Sequence, residues 1–319
     1  MILLLYGTRG TGTLPQPIIE TSVFDAPQLS RVSRLLCQRQ YGHLVLSTHH
    51  ANATSGRLSY ISWTDSKYTA QNTCGILEHS IKRSIRWHIY FSAGGCDDNA
   101  IQQSQVLRGG KSPWDTFDFY GTINAPAWSI DGTPLTINNQ NYFVYSCFRN
   151  DTGENLQSLC IAKNSDILTI GEEHLLASPT EAWERNGQMP VNEGPFALYS
   201  KNRTFLSYSG SFCWDPSYSL GLLEYIGGDP LEQSSWVKTG PQFSQANGMY
   251  STGHNSFFTS PDGTETWMAY HSSPNPAGSC GDRYANAKKI DFEDDGFPIL
   301  GEPIAEGVVL PGPAGEPQV

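Results

Sequence analysis

The sequence has few positive charges and no cluster of them. Its 319 residues include 20 Lys and Arg against 31 Asp and Glu, which gives a formal net charge of −11 at pH 7. Binding to nucleic acid or to an anionic membrane surface requires a basic patch or stripe. The composition therefore predicts no nucleic-acid partner and no membrane partner, and it favours a neutral or weakly charged ligand.

Long hydrophobic runs are also missing. The chain starts with an apolar run of only five residues, Ile2 to Tyr6, whereas a signal peptide needs about 7–15 apolar residues after a positive charge. A membrane-spanning helix needs about 20 apolar residues, and no run approaches that length. The sequence therefore shows no signal peptide and predicts no transmembrane segment.

The seven cysteines form no C-x-x-C pair, so a zinc ribbon or a thioredoxin-type motif is not predicted. Cys147 and Cys160 could pair, but the sequence does not fix the connectivity. Ser-His-Asp signatures, phosphate-binding glycine loops and H-E-x-x-H motifs are absent too, so nucleotide and metalloprotease chemistry have no support and no metal site is predicted. Three N-x-S/T sequons, at Asn52, Asn150 and Asn202, hint at secretion.

Glycine, proline and aromatic residues are abundant, with 31 Gly, 20 Pro, 14 Phe, 15 Tyr and 8 Trp. Many short aromatic-rich runs separated by Gly/Pro turns are typical of an all-β protein. Helix signals are weak, and one turn is predicted at 179–184. We therefore predict one all-β domain over residues 1–319, with a Gly/Pro-rich tail at 311–319 that frays.

Five segments of the chain share one pattern: a polar or turn residue, about five aromatic or β-branched residues, and then small polar residues. They are residues 41–51, 86–95, 141–149, 203–211 and 266–274. Their central residues are Val45, Tyr90, Tyr145, Tyr208 and Tyr270. Such runs predict buried strands, and the steps of 45, 55, 63 and 62 residues leave room for further strands in each unit. The pattern predicts a five-bladed β-propeller, with a β-sandwich or a β-solenoid as the alternative.

Three residues that could carry chemistry lie shortly before successive repeat strands. Asp131 precedes the third repeat strand, Glu193 the fourth and His254 the fifth. Because equivalent positions of propeller blades converge on the axis, two carboxyl groups and an imidazole are expected in one pocket, which suits acid/base catalysis. Each residue also has a plain structural interpretation: Glu193 in a tight Gly-Pro loop, Asp131 in an Asp-Gly turn and His254 as a core histidine.

A resemblance to a known family rests on several segments that occur in order. They are Arg86 to Gly95, Trp128 to Gly132, Val191 to Phe196, Ser209 to Glu224, Gly228 to Leu231, Thr252 to Ser272 and Gly281 to Glu302. Together they resemble glycoside hydrolase family 43, and in particular its fungal α-L-arabinofuranosidases, exo-arabinanases and β-xylosidases. The resemblance is good from about Ile85 to Pro303.

The resemblance implies a five-bladed β-propeller that hydrolyses glycosidic bonds with inversion. The general acid maps to Glu193, and a second acid that tunes it maps to Asp131. His254 maps to the floor of the pocket, where it meets water, an ion or the substrate. Arg283 maps to an arginine that contacts the sugar, and Trp214 either stacks on the sugar or belongs to the core.

The chain departs from the family pattern near its start. The family carries its general base as an Asp shortly before the first repeat strand, but residues 33–35, where it is expected, contain no acid. The nearest upstream acid is Asp25, which is the candidate base. About the first 80 residues are therefore predicted to form a divergent or incomplete first blade.

These observations predict an inverting glycosidase that removes terminal α-L-arabinofuranosyl or β-D-xylosyl residues from arabinan, arabinoxylan or derived oligosaccharides. No cofactor is expected beyond a structural ion near His254. The family resemblance implies secretion. The alternative is a catalytically inactive propeller that binds pentoses, because loss of the base lowers the rate more than the binding.

Overall fold

The computed structural model describes residues 3–6, 44–47, 60–63, 78–83, 86–95, 98–109, 116–149 and 156–316. Its strands are β1 Leu3–Tyr6, β2 Leu44–Ser47, β3 Tyr60–Trp63, β4 Glu78–Arg83, β5 Arg86–Gly95, β6 Asp98–Arg108, β7 Asp118–Thr122, β8 Ser129–Ile137, β9 Gln140–Arg149, β10 Leu156–Lys163, β11 His174–Ala177, β12 Asn192–Ser200, β13 Arg203–Gly210, β14 Ser219–Tyr225, β15 Trp236–Phe243, β16 Tyr250–Thr259, β17 Thr266–Ser273, β18 Tyr284–Phe292 and β19 Pro298–Ile299. Two short 3-10 turns, Ala182–Glu184 and Gln233–Ser235, complete the described elements. None of the helices described here has the length and hydrophobicity of a membrane span.

The strands form four sheets that are the blades of a β-propeller. Strands β8–β11, β12–β15 and β16–β19 each form an antiparallel four-stranded sheet, and β4–β7 form a fourth, which β1 extends by pairing in parallel with β4. Strands β2 and β3 form a separate antiparallel hairpin. The predictions of an all-β protein and of a propeller are confirmed, and four blades are described.

The repeat found in the sequence corresponds to the second strand of each blade. Strands β5, β9, β13 and β17 occupy that place, and β2 contains the centre of the first segment. Tyr90, Tyr145, Tyr208 and Tyr270 are each at most 1% exposed. Strand β9 is buried without interruption over its central six residues, as expected for a strand covered on both faces.

The hydrophobic core lies between neighbouring blades. Phe205 and Leu220 of one blade pack with Phe257 and Met268 of the next, and Leu159 of β10 packs in the same way with residues of β13. Outer strands such as β15 are half exposed. Burial between blades therefore sets their order around the axis, while hydrogen bonds hold each sheet together.

Fraying of residues 311–319 stays a prediction for the C-terminal tail, of which residues 311–316 are described. Through residue 316 it packs against the β16–β17 hairpin, where the Ala314 amide donates to Glu265 at 3.0 Å and the Asp262 amide donates to the Ala314 carbonyl at 3.3 Å. These two bonds satisfy the amide and the carbonyl of Ala314. The helical turn predicted at 179–184 is confirmed as the 3-10 turn Ala182–Glu184.

The indole of Trp183 rests on three glycines from three adjacent strands. A Cβ atom would lie 2.4 Å from this ring at Gly210, 2.8 Å at Gly221 and 2.6 Å at Gly240. These distances are far below van der Waals contact, so only glycine lets the ring lie flat against the sheet. The same ring packs against Tyr208, with 5.8 Å between centroids.

Replacement of Gly221 by Ala is expected to lower the free energy of unfolding by about 1–3 kcal/mol through overpacking. The new methyl group would also lie 2.7 Å from the Tyr208 ring. Urea unfolding of wild type and variant measures the effect. Gly171→Ala is the matched control, since its Cβ would make an ordinary 3.6 Å contact. Equal stability of the two variants would show that the Trp183 contact does not constrain this position.

Candidate active site

Asp131, Glu193 and His254 lie on the first strands of three successive blades, as the sequence predicted. Each of these strands carries a β-bulge at the candidate residue. The register shifts lie at Ile130/Thr133, Glu193/Phe196 and Gly253/Ser256. The backbone φ angle is positive at Asp131 (58°), Gly194 (58°) and His254 (48°). Bulges re-aim side chains, and left-handed backbone at non-glycine residues is concentrated at functional sites, so the geometry favours a shared pocket.

Serines near the ends of the second strands hold these bulges in place. Each buried hydroxyl bonds to the backbone of the first strand of the following blade. The bonds are Asp131 N to Ser92 Oγ at 3.0 Å, His254 N to Ser209 Oγ at 2.8 Å and Ser146 Oγ to Asn192 O at 3.0 Å. The small polar residues that close the repeat segments therefore satisfy backbone groups that the bulges leave unpaired.

Gly194 brings the three candidate side chains together. Its amide donates a hydrogen bond to Oδ2 of Asp131 at 3.2 Å, which places the Glu193 loop against Asp131. A Cβ atom at this position would lie 3.1 Å from the His254 ring, so the loop also touches the imidazole. Nε2 of His254 is 3.8 Å from Oδ1 of Asp131. The predicted convergence of the two acids and the histidine is therefore what the structure shows.

Glu193 is 8% exposed and receives two hydrogen bonds. Tyr218 donates to its Oε1 at 2.7 Å, and Gln157 Nε2 donates to its Oε2 at 2.8 Å. Tyr218 belongs to the same blade as Glu193, whereas Gln157 comes from the preceding blade. The carboxyl group is thus fixed by partners on both sides, with little rotational freedom.

The two carboxyl groups hold protons more strongly than isolated acids do. Burial raises the pKa of Glu193, although the hydrogen bonds from Tyr218 and Gln157 oppose the shift. Burial and then repulsion by Glu193 raise the pKa of Asp131 well above its ordinary value. The pair therefore keeps a proton to higher pH than either acid alone would. Such a shift is what a general acid requires.

Arg283 supplies positive charge to the same pocket. The residue is half-buried, and its Nη1 lies 2.8 Å from Nε2 of His271. Burial and the charge of Arg283 lower the pKa of His271 well below its usual range and that of His254 to about 3. Both imidazoles are therefore neutral, and Arg283 is the cation that faces the two acids.

A family model described as glycosyl hydrolases family 43 matches residues 79–298. The chain belongs to this family. An extracellular exo-α-(1→5)-L-arabinofuranosidase of Streptomyces avermitilis is 34% identical over 238 residues, which are 70% of this chain and 49% of that protein. Alpha-L-arabinofuranosidase 43 of Humicola insolens is 31% identical over 256 residues, with 70% and 48% covered. The chain thus spans about half the length of these curated relatives.

Solved structures show the same fold. A thermostable family-43 glycoside hydrolase superimposes with a TM-score of 0.67 at 23% identity, covering 87% of this chain and 90% of the other. An α-L-arabinofuranosidase from Lactobacillus brevis gives a TM-score of 0.65 at 23% identity, with 78% and 84% covered. The family 43 propeller is therefore the scaffold on which the bulged first strands converge.

Trp214 lies in the connection from β13 to β14 of this family 43 blade. Its half-buried ring packs against Cys213, Tyr218 and Cys280, and a Cβ atom at Gly281 would lie 3.6 Å from the ring. Part of the indole thus belongs to a small hydrophobic cluster beside the pocket. Its predicted stacking on a sugar stays a prediction.

Asp25, the candidate general base, lies outside the described residues. The general-base role, for which Asp25 is the nearest candidate acid, therefore stays a prediction, as do the roles of Arg283 and His254 toward a substrate. Among the described residues, no group of three or more His, Cys, Asp or Glu side chains is arranged to hold a metal ion.

Gln157 and Tyr218, the two hydrogen-bond partners of Glu193, were not predicted from the sequence. Together with Arg283 they lie at or just before the third strands of successive blades, β10, β14 and β18. Applying the repeat to the third strand as well as to the second would have singled out these positions. The pocket of this family 43 chain is thus built from two sets of residues at equivalent places of successive blades. Asp131, Glu193 and His254 lie on first strands, and the second set, Gln157, Tyr218 and Arg283, lies where third strands begin.

Proposed function

We propose that the protein is an inverting exo-acting α-L-arabinofuranosidase that removes terminal arabinofuranosyl residues from arabinan or arabinoxylan. The observation that carries the proposal is the buried Glu193 carboxyl group, with its raised pKa, beside Asp131 in a family 43 propeller. The names of the relatives support arabinose over xylose as the sugar.

In this proposal Glu193 donates its proton to the glycosidic oxygen as the bond to the sugar breaks. A base on the opposite face takes a proton from the attacking water, and inversion requires about 6.5–9.5 Å between the two carboxyl groups. Asp25 is our candidate for that base. Asp131 fixes the acid loop through Gly194 and repels the charge on Glu193, while Arg283 is available to bind sugar hydroxyls.

The proposed hydrolysis needs no cofactor, but an ion near His254 is compatible with the geometry. Nε2 of His254 and Oδ1 of Asp131 are buried and have no hydrogen-bond partner among the described residues. A cation or a water molecule between them would satisfy both atoms. We propose such an occupant only as a structural element of the pocket floor.

We also propose a fifth blade and secretion. Strand β2 contains the centre of the first repeat segment and pairs with β3, which supports a fifth sheet built from the N-terminal region. The extracellular relatives and two disulfides, Cys147–Cys160 and Cys213–Cys280, support an oxidising, extracellular location.

Hydrolysis of 4-nitrophenyl α-L-arabinofuranoside and 4-nitrophenyl β-D-xyloside tests the function, with proton NMR of the first sugar released. We expect arabinose as the main product, with inverted anomeric configuration. Xylose alone would move the specificity to β-xylosidase. Binding of arabinose without release from either substrate would instead support the inactive pentose-binding propeller.

A further inference from the structure

Two loops of neighbouring blades are joined covalently beside the pocket. The Cys213 loop, residues 211–218, connects β13 to β14, and the Cys280 loop, residues 274–283, connects β17 to β18. Both run from the second to the third strand of their blade. The disulfide Cys213–Cys280 links them, with 5.3 Å between Cα atoms.

The two loops also pack directly against each other. A Cβ atom at Gly278 would lie 2.4 to 2.6 Å from backbone atoms of residues 214–216, so the chains meet backbone to backbone. Ser251 bridges them, because its Oγ donates to the Asp215 carbonyl at 3.0 Å and accepts from the Ser279 amide at 3.2 Å. The disulfide therefore closes a contact that is already tight.

Each loop ends in a residue that acts on the acid pair. Tyr218, the last residue of the Cys213 loop, donates its hydroxyl hydrogen bond to Glu193 at 2.7 Å. Arg283, the last residue of the Cys280 loop, faces the acids and contacts His271 at 2.8 Å. The Tyr218 and His271 rings stack, with 5.5 Å between centroids and 13° between planes. The linked loops thus place the Tyr218 ring and the Arg283 guanidinium at the pocket, both in contact with His271.

We propose that Cys213 and Cys280 are positioning residues, whose disulfide fixes the two loops so that Tyr218 and Arg283 hold the general acid in register. The proposal deepens the proposed function and rests on it. Both cysteines are buried, each at 6% exposure, in the cluster with Tyr218 and Trp214. Their effect passes through the hydrogen bond of Tyr218 and the placement of Arg283, both of which depend on the relative position of two blades.

The second disulfide provides a matched control. Cys147 and Cys160 join adjacent strands of one blade, β9 and β10, with 5.9 Å between Cα atoms. Both cysteines are at most 1% exposed. Their cross-link stabilises a sheet that is already hydrogen-bonded along its length, and it connects no pocket loop to another blade. The variants C213A/C280A and C147A/C160A therefore lose the same atoms. Only C213A/C280A loses a link between two pocket loops, so a difference in activity between the variants reports positioning of the loops and not loss of a disulfide as such.

A double-mutant cycle with Tyr218→Phe tests the proposal, with kcat and KM measured on an α-1,5-linked arabino-oligosaccharide, whose leaving group depends on the general acid. We expect C213A/C280A to lower kcat/KM about tenfold, mostly through kcat, because misplaced catalytic groups lose transition-state stabilisation. In that background Tyr218→Phe should have a clearly smaller effect than in wild type. C147A/C160A should keep kcat/KM within about twofold and retain the full effect of Tyr218→Phe. Additive effects of C213A/C280A and Tyr218→Phe, or equal losses for the two disulfides, would overturn the proposal.

Amide hydrogen exchange gives a readout that does not depend on activity. We expect faster exchange in residues 211–218 and 274–283 of C213A/C280A, and unchanged exchange there in C147A/C160A. If wild type hydrolyses no substrate, the proposed function fails, and this measurement still decides whether the disulfide orders the loops. If C213A/C280A does not fold, the Cys213–Cys280 bond is broken chemically in the folded C147A/C160A variant instead. A dithiol reduces the bond and is itself oxidised to a disulfide, and alkylation then blocks the two free thiols. Unchanged exchange in the linked loops would refute the inference.

Discussion

Replacement of Glu193 by Gln is expected to lower kcat/KM on α-1,5-linked arabino-oligosaccharides about 10³-fold, within the range that general acids contribute. A sugar alkoxide is a poor leaving group and must be protonated as the bond breaks, and an amide cannot supply that proton. A nitrophenolate leaves without full protonation. The loss on 4-nitrophenyl α-L-arabinofuranoside should therefore be much smaller than the loss on the oligosaccharide.

Steady-state kinetics of both substrates measure this difference. Glu172→Gln is the matched control, because this exposed glutamate undergoes the same chemical change away from the pocket. Thermal unfolding checks that Glu193→Gln is folded, since the amide must adapt to donors from both Tyr218 and Gln157. Equal losses on the two substrates would mean that Glu193 does not protonate the leaving group.

The sequence predicts those features of the fold that depend on local patterns. A buried aromatic run such as that around Tyr208 is visible within eight residues, and its recurrence predicts blades. The β-bulges were not predictable, since the left-handed backbone at Asp131 and His254 depends on hydrogen bonds that their amides donate to serines of the preceding blade. Such contacts join residues 39 and 45 positions apart.

In the candidate site, too, residues that follow a local pattern were predictable and contacts between distant residues were not. Glu193, Asp131 and His254 were found because they share a place in the repeat, and their convergence follows from propeller geometry. Cys147 could be matched with Cys160 as one of several alternatives, but Cys213–Cys280 spans 67 residues and two blades. Its pairing depends on how two loops pack, which no local pattern encodes.

Burial and charge repulsion contribute unequally to the raised pKa values of Asp131 and Glu193. The resemblance implied that Asp131 tunes the acid Glu193. In the structure, burial is the first cause of the raised pKa of both groups, and repulsion by Glu193 is the second cause for Asp131. Tyr218, Gln157 and Arg283 oppose the shift of Glu193, so the pocket balances proton retention against the ability to release the proton.

Replacement of Asp131 by Asn is expected to lower kcat/KM about 100-fold and to move the alkaline limb of its pH profile to lower pH. The acid must be protonated, so activity falls as pH rises through the upper apparent pKa of the pair. The last proton of the pair leaves against the charge of the carboxyl group that has already ionised, which raises the upper apparent pKa of the pair. Without the Asp131 carboxyl group this repulsion is absent, so the limb moves to lower pH. Asn tolerates the left-handed backbone at φ 58° and can still accept the Gly194 hydrogen bond, so the change is mainly one of charge.

The pH dependence of kcat/KM for wild type, Asp131→Asn and Asp282→Asn measures the shift. Asp282 is an exposed acid next to Arg283 in the chain, so its replacement removes the same charge where solvent screens it. We expect the alkaline limb of Asp282→Asn to coincide with that of wild type. A limb of Asp131→Asn that stays in place, or moves to higher pH, would show that the charge of Asp131 does not set the protonation of Glu193. Asp131 would then act only through its hydrogen bond to the Gly194 amide, and the loss of rate would reflect misplacement of the acid loop.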